Sequence, residues 1–159
     1  MAHRYAHYVE GLDPVTSLEE TSSRIAALVR GREAQLQDRT YAPGKWTARQ
    51  LLAHLAQAEI VFANRLRFGA TTGGYVVQPF DQDDWMNVDV DAAPAASLEA
   101  YLALRALNVA LCRSLTPAQR SRTFVHPEAG TIDLHWLITY FAGHDRHHLP
   151  HFEAIAAGA

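Results

Sequence analysis

A single cysteine, Cys112, stands in a chain of 159 residues, so no disulfide can form within it and folding does not call for an oxidising compartment. Basic residues are also scarce: 14 Lys and Arg against 17 Asp and Glu give a formal charge of −3 with the histidines neutral. Such a balance lacks the positive field that dominates nucleic-acid affinity, which argues against a duplex-binding module. No run approaches the roughly 20 apolar residues that cross a bilayer. The opening stretch MAHRYAHYVEGLDP has no apolar core of the secretory kind. Neither nucleic acid nor membrane is therefore expected as a partner, and the chain reads as cytoplasmic. Gly and Pro number 9 and 7, with no low-complexity tract, no internal repeat and no Gly-rich phosphate loop. The length fits one domain over residues 1–159, long enough to bury a core without staples.

What the chain does have is helical periodicity and nine histidines. Four long segments repeat their apolar residues at helical spacing, and nothing of comparable length alternates as a strand does. The first is expected to start near Ser17, where Ser17 and Glu20 have capping-box spacing, and to carry Leu18, Ile25, Leu28, Val29 and Leu36. The second follows Pro43 and Gly44, with Thr47 and Gln50 as a second box and Leu51, Leu55, Ala58, Phe62 and Leu66 facing inward. Between about Phe68 and Ser97 the pattern fails. A connection this long predicts a functional cover or a wrapped loop, with PFDQDDWMNVDVD at its middle. The third helix is placed at Ser97 onward, with Leu98, Tyr101, Leu102, Val109 and Cys112 on one face and Leu104, Leu107 and Leu111 on the next. Thr116, Pro117 and Gln119 form the cap of a short extra turn. The fourth runs from about Thr131 to Ala156, and Pro150 inside it is expected to kink or loosen it. Four amphipathic helices and one long crossover between the second and third predict an all-α four-helix bundle.

On the last helix the inward stripe reads Leu137, Phe141, His144, His148, Phe152, Ile155. Two imidazoles four residues apart point the same way and can reach one metal ion. A third ligand must come from another helix, and His54, within the inward set of the second, is the candidate. Three neutral imidazoles with open positions match catalytic rather than structural metal sites, and several divalent metals accept such nitrogen ligands. Hydrogen-bonded core histidines would be the plain alternative. The segment GHDRHHLPH leaves other pairings open, His144 with His147 or His147 with His151, and of these His151 lies nearer the stripe. It also reads H-D-x-x-H, one methylene from the H-E-x-x-H of metalloproteases. That makes Asp145 a weak general-base candidate beside a metal-bound water or thiol, with a solvated carboxylate as the plain reading. His3, His7, His126 and His135 read as solvated. Cys112 reads as a buried, inert thiol.

YAPGKWTARQLLAHLAQAE around His54, FDQDDW in the connection, and VHPEAGTIDLHWLITYFAGHDRHHLPHF at the end together resemble the DinB-like (damage-inducible) superfamily, over most of the chain. The resemblance implies a metal-binding four-helix bundle with a long crossover between helices 2 and 3. It also implies a divalent ion, zinc or nickel, held at the positions of His54, His144 and His148. Members often carry Gln where this chain has His151, so an extra or competing ligand there stays open. The resemblance further implies a homodimer, and chemistry that includes thiol-dependent transferases and isomerases using low-molecular-weight thiols. The expected function is thus a metal-dependent enzyme, a thiol-S-transferase or a hydrolase, acting on a small molecule with Phe80, Asp81, Asp84 and Trp85 able to cover the site. The alternative is a non-catalytic metal-stabilised dimer or small-molecule binder in a stress response.

Overall fold

The computed structural model describes residues 3–158. Four long helices make the body: α1 (Pro14–Val29), α3 (Ala48–Thr71), α5 (Pro94–Ser114) and α7 (Leu134–Ala157). Short helices α2 (Glu33–Leu36), α4 (Gln82–Val88) and α6 (Pro117–Arg120) punctuate the connections, and a 3-10 turn covers Ala6–Val9. An antiparallel hairpin, β1 (Thr123–His126) and β2 (Gly130–Asp133), precedes α7. Within the bundle α1 packs on α5 and α7, while α3 packs on α5 and α7.

Two apolar clusters set the helix directions. Leu18, Phe62, Leu66, Val109, Leu137 and Phe141 belong to one, and Ile25, Val29, Leu51, Leu55, Leu98, Leu149 and Phe152 to the other. Each helix contributes its first half to one cluster and its second half to the other. By that criterion α1 and α7 run one way and α3 and α5 the opposite way. Parallel α3 and α5 cannot be joined by a tight turn: α3 alone is about 36 Å long, and the chain must return that distance. This is the physical reason for the crossover of residues 72–93. A polar layer lies between the clusters, built from Gln57 and Glu59 of α3, Arg105 and Asn108 of α5, and His144, Asp145 and His148 of α7, all buried.

Several boundaries differ from the sequence expectation. α1 begins at Pro14, with Pro in the first turn and the Asp13 carboxylate accepting from the Thr16 amide at 2.8 Å. Ser17 and Glu20 do not cap it. Both instead accept from the Arg146 guanidinium of α7, at 2.5 and 3.4 Å. α1 ends at Val29, and Leu36 is buried from the separate turn α2. The boxes at Thr47–Gln50 and Thr116–Gln119 are both formed as expected. α5 starts three residues before Ser97, because Pro94 supplies a favourable first position. Thr131 lies in β2, and α7 starts at Leu134 under an Asp133 cap. The hairpin was not anticipated, since its strands are only four residues each. α7 continues through Pro150, which sits exposed on its outer side.

α5 is long and apolar enough, by length and composition alone, for a membrane span. Arg105 and Asn108 nevertheless sit buried on it and bond to neighbouring helices, as on a core helix.

The crossover is tied down at three places. The Val77 amide donates to the Val125 carbonyl at 2.8 Å, and the Val125 amide to the Tyr75 carbonyl at 3.0 Å. Gln57 Nε2 donates to Asp89 at 2.8 Å. Arg65 Nη2 donates to the Gln78 carbonyl at 3.2 Å. Gly69 lets the hairpin close on α3, since a Cβ there would meet Phe124 Cε1 at 2.8 Å.

Candidate metal centre

His54 comes from the second turn of α3, and His144 and His148 from successive turns of the antiparallel α7. The structure brings the three together: His54 Nε2 and His144 Nε2 are 2.9 Å apart, and His144 Nε2 and His148 Nε2 are 3.2 Å apart. All three rings are buried. Trp46 packs against His54 at 5.0 Å between ring centroids. Tyr5 stands edge-on to His144 at 5.5 Å, and Gly143 makes that approach feasible, as a Cβ would lie 2.4 Å from the Tyr5 carbonyl oxygen.

Burial, then the neighbouring His144, pushes His54 down to about 3. Burial and the adjacent imidazoles also hold His148 well below the ordinary histidine value. Both rings are neutral at pH 7, the form that offers a lone pair to a metal.

The donor set can be tested for fit. A neutral imidazole nitrogen carries either one proton or one lone pair, so His144 Nε2 cannot satisfy both of its close Nε2 neighbours. The Nδ1 atoms of His54 and His144 are themselves buried without partners. A hydrogen-bonded trio is therefore frustrated. Tetrahedral ligands at 2.0–2.1 Å from zinc lie about 3.3 Å from one another, close to the spacing seen. Each Nε2 would then contribute its lone pair and each Nδ1 would keep the proton. The residues fit a divalent metal.

Asp145 Oδ1 lies 3.6 Å from His144 Nδ1. Asp145 is neither solvated nor free to take a proton, which corrects the expectation for it. Its other oxygen receives Tyr101 Oη and Arg105 Nη2, both at 2.7 Å. Burial alone would raise this carboxyl, but Arg105 and then His144 outweigh it and hold it below the usual range. Arg105 Nη2 also donates to Glu59 at 2.6 Å, Arg105 Nη1 to the Leu18 carbonyl at 2.9 Å, and Asn108 Nδ2 to Glu59 at 2.9 Å. Asp145 thus belongs to a network joining all four helices behind the histidines, and its position suits orienting His144.

The other histidines are now placed. His151 Nδ1 lies 3.3 Å from His148 Nδ1, and its ring stacks on Tyr41 at 3.9 Å. It meets the far nitrogen of His148, away from the point where the Nε2 atoms converge. His147 Nδ1 pairs with Tyr8 Oη at 2.9 Å. His147, His148 and His151 form a second, looser cluster. His7 and His135 are exposed as expected, but His3 packs half-buried against Trp136 and Tyr140. His126 is also half-buried, accepting from the Glu128 amide at 3.2 Å. Cys112 is buried and unpaired, its thiol pushed up to about 12 by burial.

Two clefts reach the histidines from different sides. One, of about 340 Å³, is lined by His54, His144, Ala58, Arg65, Phe80 and Tyr140. The other, of about 350 Å³, is lined by His148, His151, Tyr41, Trp46 and Lys45. Arg4, Gln82 and Asp83 border both. Of the expected cover residues, Phe80 and Asp81 line the first cleft, and Asp81 also caps α4. Trp85 stacks edge-on against Phe80 at 4.9 Å, and Asp84 is exposed. Arg65, Arg4 and Tyr140 were missed from sequence. Arg65 was within reach, because it lies eleven residues from His54, on the same face of α3.

A bundle with an antiparallel pair of helices presenting three converging imidazoles defines a class of metal-binding helical protein. The chain belongs to the DinB superfamily, whose profile matches residues 17–151. A protein of Oceanobacillus iheyensis, provisionally named a metal-dependent hydrolase, is 34% identical over 74% of this chain and 69% of its own length. YfiT of Bacillus subtilis, provisionally described as a metal-dependent hydrolase with an unusual four-helix-bundle topology, superposes with a TM-score of 0.80 at 28% identity, covering 91% of this chain and 84% of that one. A mycothiol-dependent maleylpyruvate isomerase shares the fold, with a TM-score of 0.69 at 17% identity over 92% of this chain and 60% of its own.

Proposed function

We propose that the protein is a metal-dependent enzyme of small-molecule chemistry, best read as a thiol-S-transferase, with His54, His144 and His148 holding zinc or nickel. The observation that carries this reading is the convergence of three buried imidazole Nε2 atoms that two clefts reach from different sides. When bound there, the ion would lower the pKa of a thiol or water and so make a nucleophile near neutral pH. The chain's own part is to keep the lone pairs of His54 and His148 available by burial and to place the Asp145 carboxylate 3.6 Å from His144 Nδ1. It also walls the site with Trp46, Tyr5 and Phe80 so that bulk water is restricted. Two clefts suit two reactants, a low-molecular-weight thiol and an electrophile, better than they suit water and one ester. Hydrolysis is the second reading, favoured by the provisional names of the relatives.

The test is direct. Untagged protein loaded with zinc or nickel is assayed with a small thiol plus chlorodinitrobenzene, and separately with a nitrophenyl ester. Thiol transfer that stops on chelation and in H144A supports the reading. Ester cleavage alone moves the assignment to a hydrolase. Turnover that survives complete metal removal overturns both. A large loss of melting temperature on chelation, with no turnover, would instead mark a structural clasp. The same reading takes the protein as cytoplasmic, without nucleic-acid or membrane partners, and homodimeric through the half-buried and exposed Leu104, Leu107 and Leu111 of α5. Sedimentation of L107E against the unaltered protein tests the dimer.

A further inference from the structure

Arg65 is the buried charge that the fold leaves unanswered. Its side chain belongs to a residue only 8% exposed. Among the described residues no carboxylate pairs with it. Nη2 meets the Gln78 carbonyl at 3.2 Å, and Nε is buried with no partner among the described residues. Arg105 offers the contrast: it is more deeply buried and its Nε also lacks a partner, but its charge is held by two carboxylates. A largely buried guanidinium with an orphaned Nε and one backbone contact is costly to keep, and anchoring the crossover does not require a charge.

Its place in the cleft suggests what completes it. Arg65 lines the same cavity as His54 and His144. On α3 it lies about 16 Å along the axis from His54, on the same face. Between them Ala58, with its small side chain, leaves the floor open, and Phe80 and Tyr140 form walls. The acids that border this cleft, Asp81, Asp83 and Glu128, are exposed at its rim, where water and salt screen them. Asp81 is moreover committed to capping α4.

We propose that Arg65 is the recognition residue for a carboxylate on the substrate, so that the electrophile is an elongated organic acid whose reactive end reaches the histidines. This names a substrate class for the site proposed above and rests on that reading only for where the reacting atom lies. The planar fork of Arg matches a carboxylate in a way a lysine ammonium does not.

Benzoate and benzamide, alike in shape and different in charge, are the probes. Each is titrated calorimetrically into the full chain, with zinc and after chelation, and the Arg Nε–H resonances are followed by NMR. Benzoate should bind about tenfold or more tighter than benzamide in both metal states, as expected for a charge-assisted pair, and should shift the Arg65 Nε–H signal. R65Q should erase the preference, and R65K should reduce it while keeping a donor for the Gln78 carbonyl. Melting curves establish that both variants are folded, and should R65Q not fold, R65K and the NMR shift decide. The proposal is overturned if millimolar benzoate does not bind the unaltered chain, if the preference persists in R65Q, or if it appears only with zinc. The last result would mean that the metal, rather than Arg65, takes the carboxylate. Failure to bind zinc would sink the metal reading while leaving this measurement intact.

Discussion

Two polar constructions lie side by side in the middle of this bundle, and they are finished differently. In the first, Arg105 is ringed by Glu59, Asp145 and the Leu18 carbonyl, with Tyr101 and Asn108 supplying further donors. In the second, His54, His144 and His148 press their Nε2 atoms together, and two of the three Nδ1 atoms have no partner. The first has its charges paired by protein alone, with Arg105 Nε its one orphaned atom, and is sealed. The second faces two clefts and is complete only when something else arrives. Burial by itself therefore does not separate structure from function here. What separates them is whether the polar groups balance without help.

The sharpest way to break the comparison is R105M. It should leave two buried carboxylates without their counter-charge at once, costing about 3–5 kcal/mol, read as a fall in the urea midpoint. A loss under about 1 kcal/mol would mean the network is not the sealed element described. H144A should do the reverse. Zinc affinity by calorimetry should fall more than about 100-fold, since removal of a ligand must exceed the 10–100-fold cost of losing an outer-shell partner. Metal-free stability should stay within about 1 kcal/mol, because a frustrated contact is removed.

The pH dependence sharpens the same point. His54 is held near 3 in the folded chain against 6.5 when unfolded, so the unfolded state takes up the proton first. Stability from this group is complete above pH 6.5 and is lost as pH falls toward 3, by roughly 2 kcal/mol between pH 6.5 and 4.5. Metal-stripped H54A should lose the part of the slope that His54 supplies, leaving the part from His148, which is lowered in the same direction. The smallest effect belongs to the surface: E153Q, which breaks an exposed pair with Arg24, should change the midpoint by less than about 0.5 kcal/mol.

Much of this was legible beforehand, and the reasons are specific. The stripe Leu137–Phe141–His144–His148–Phe152 placed two imidazoles inward because a helix returns every 3.6 residues. Thr47 and Gln50 marked the true start of α3 because their box satisfies two free amides. Ser17 and Glu20 carried the same spacing and misled. They are held by Arg146, a tertiary contact that local spacing cannot reveal, while Asp13 and Pro14 provide the actual start. Asp145 was misread for a similar reason. One residue from His144 on the stripe it looks peripheral, yet Arg105 and Tyr101 arrive from α5 to bury it. The hairpin escaped notice because four-residue strands leave too short a period to detect.

The main-chain stitch between Tyr75–Val77 and Val125 has a consequence beyond holding the crossover in place. It fastens the segment bearing Phe80 to the one bearing His126 through backbone atoms that every amino acid but proline supplies. The aperture above the histidines is thus framed by backbone, and the residues projecting from either lip are free to vary without altering its width. A scaffold of this design can exchange one acceptor molecule for another by a few substitutions along the rim, while the helices beneath stay as they are.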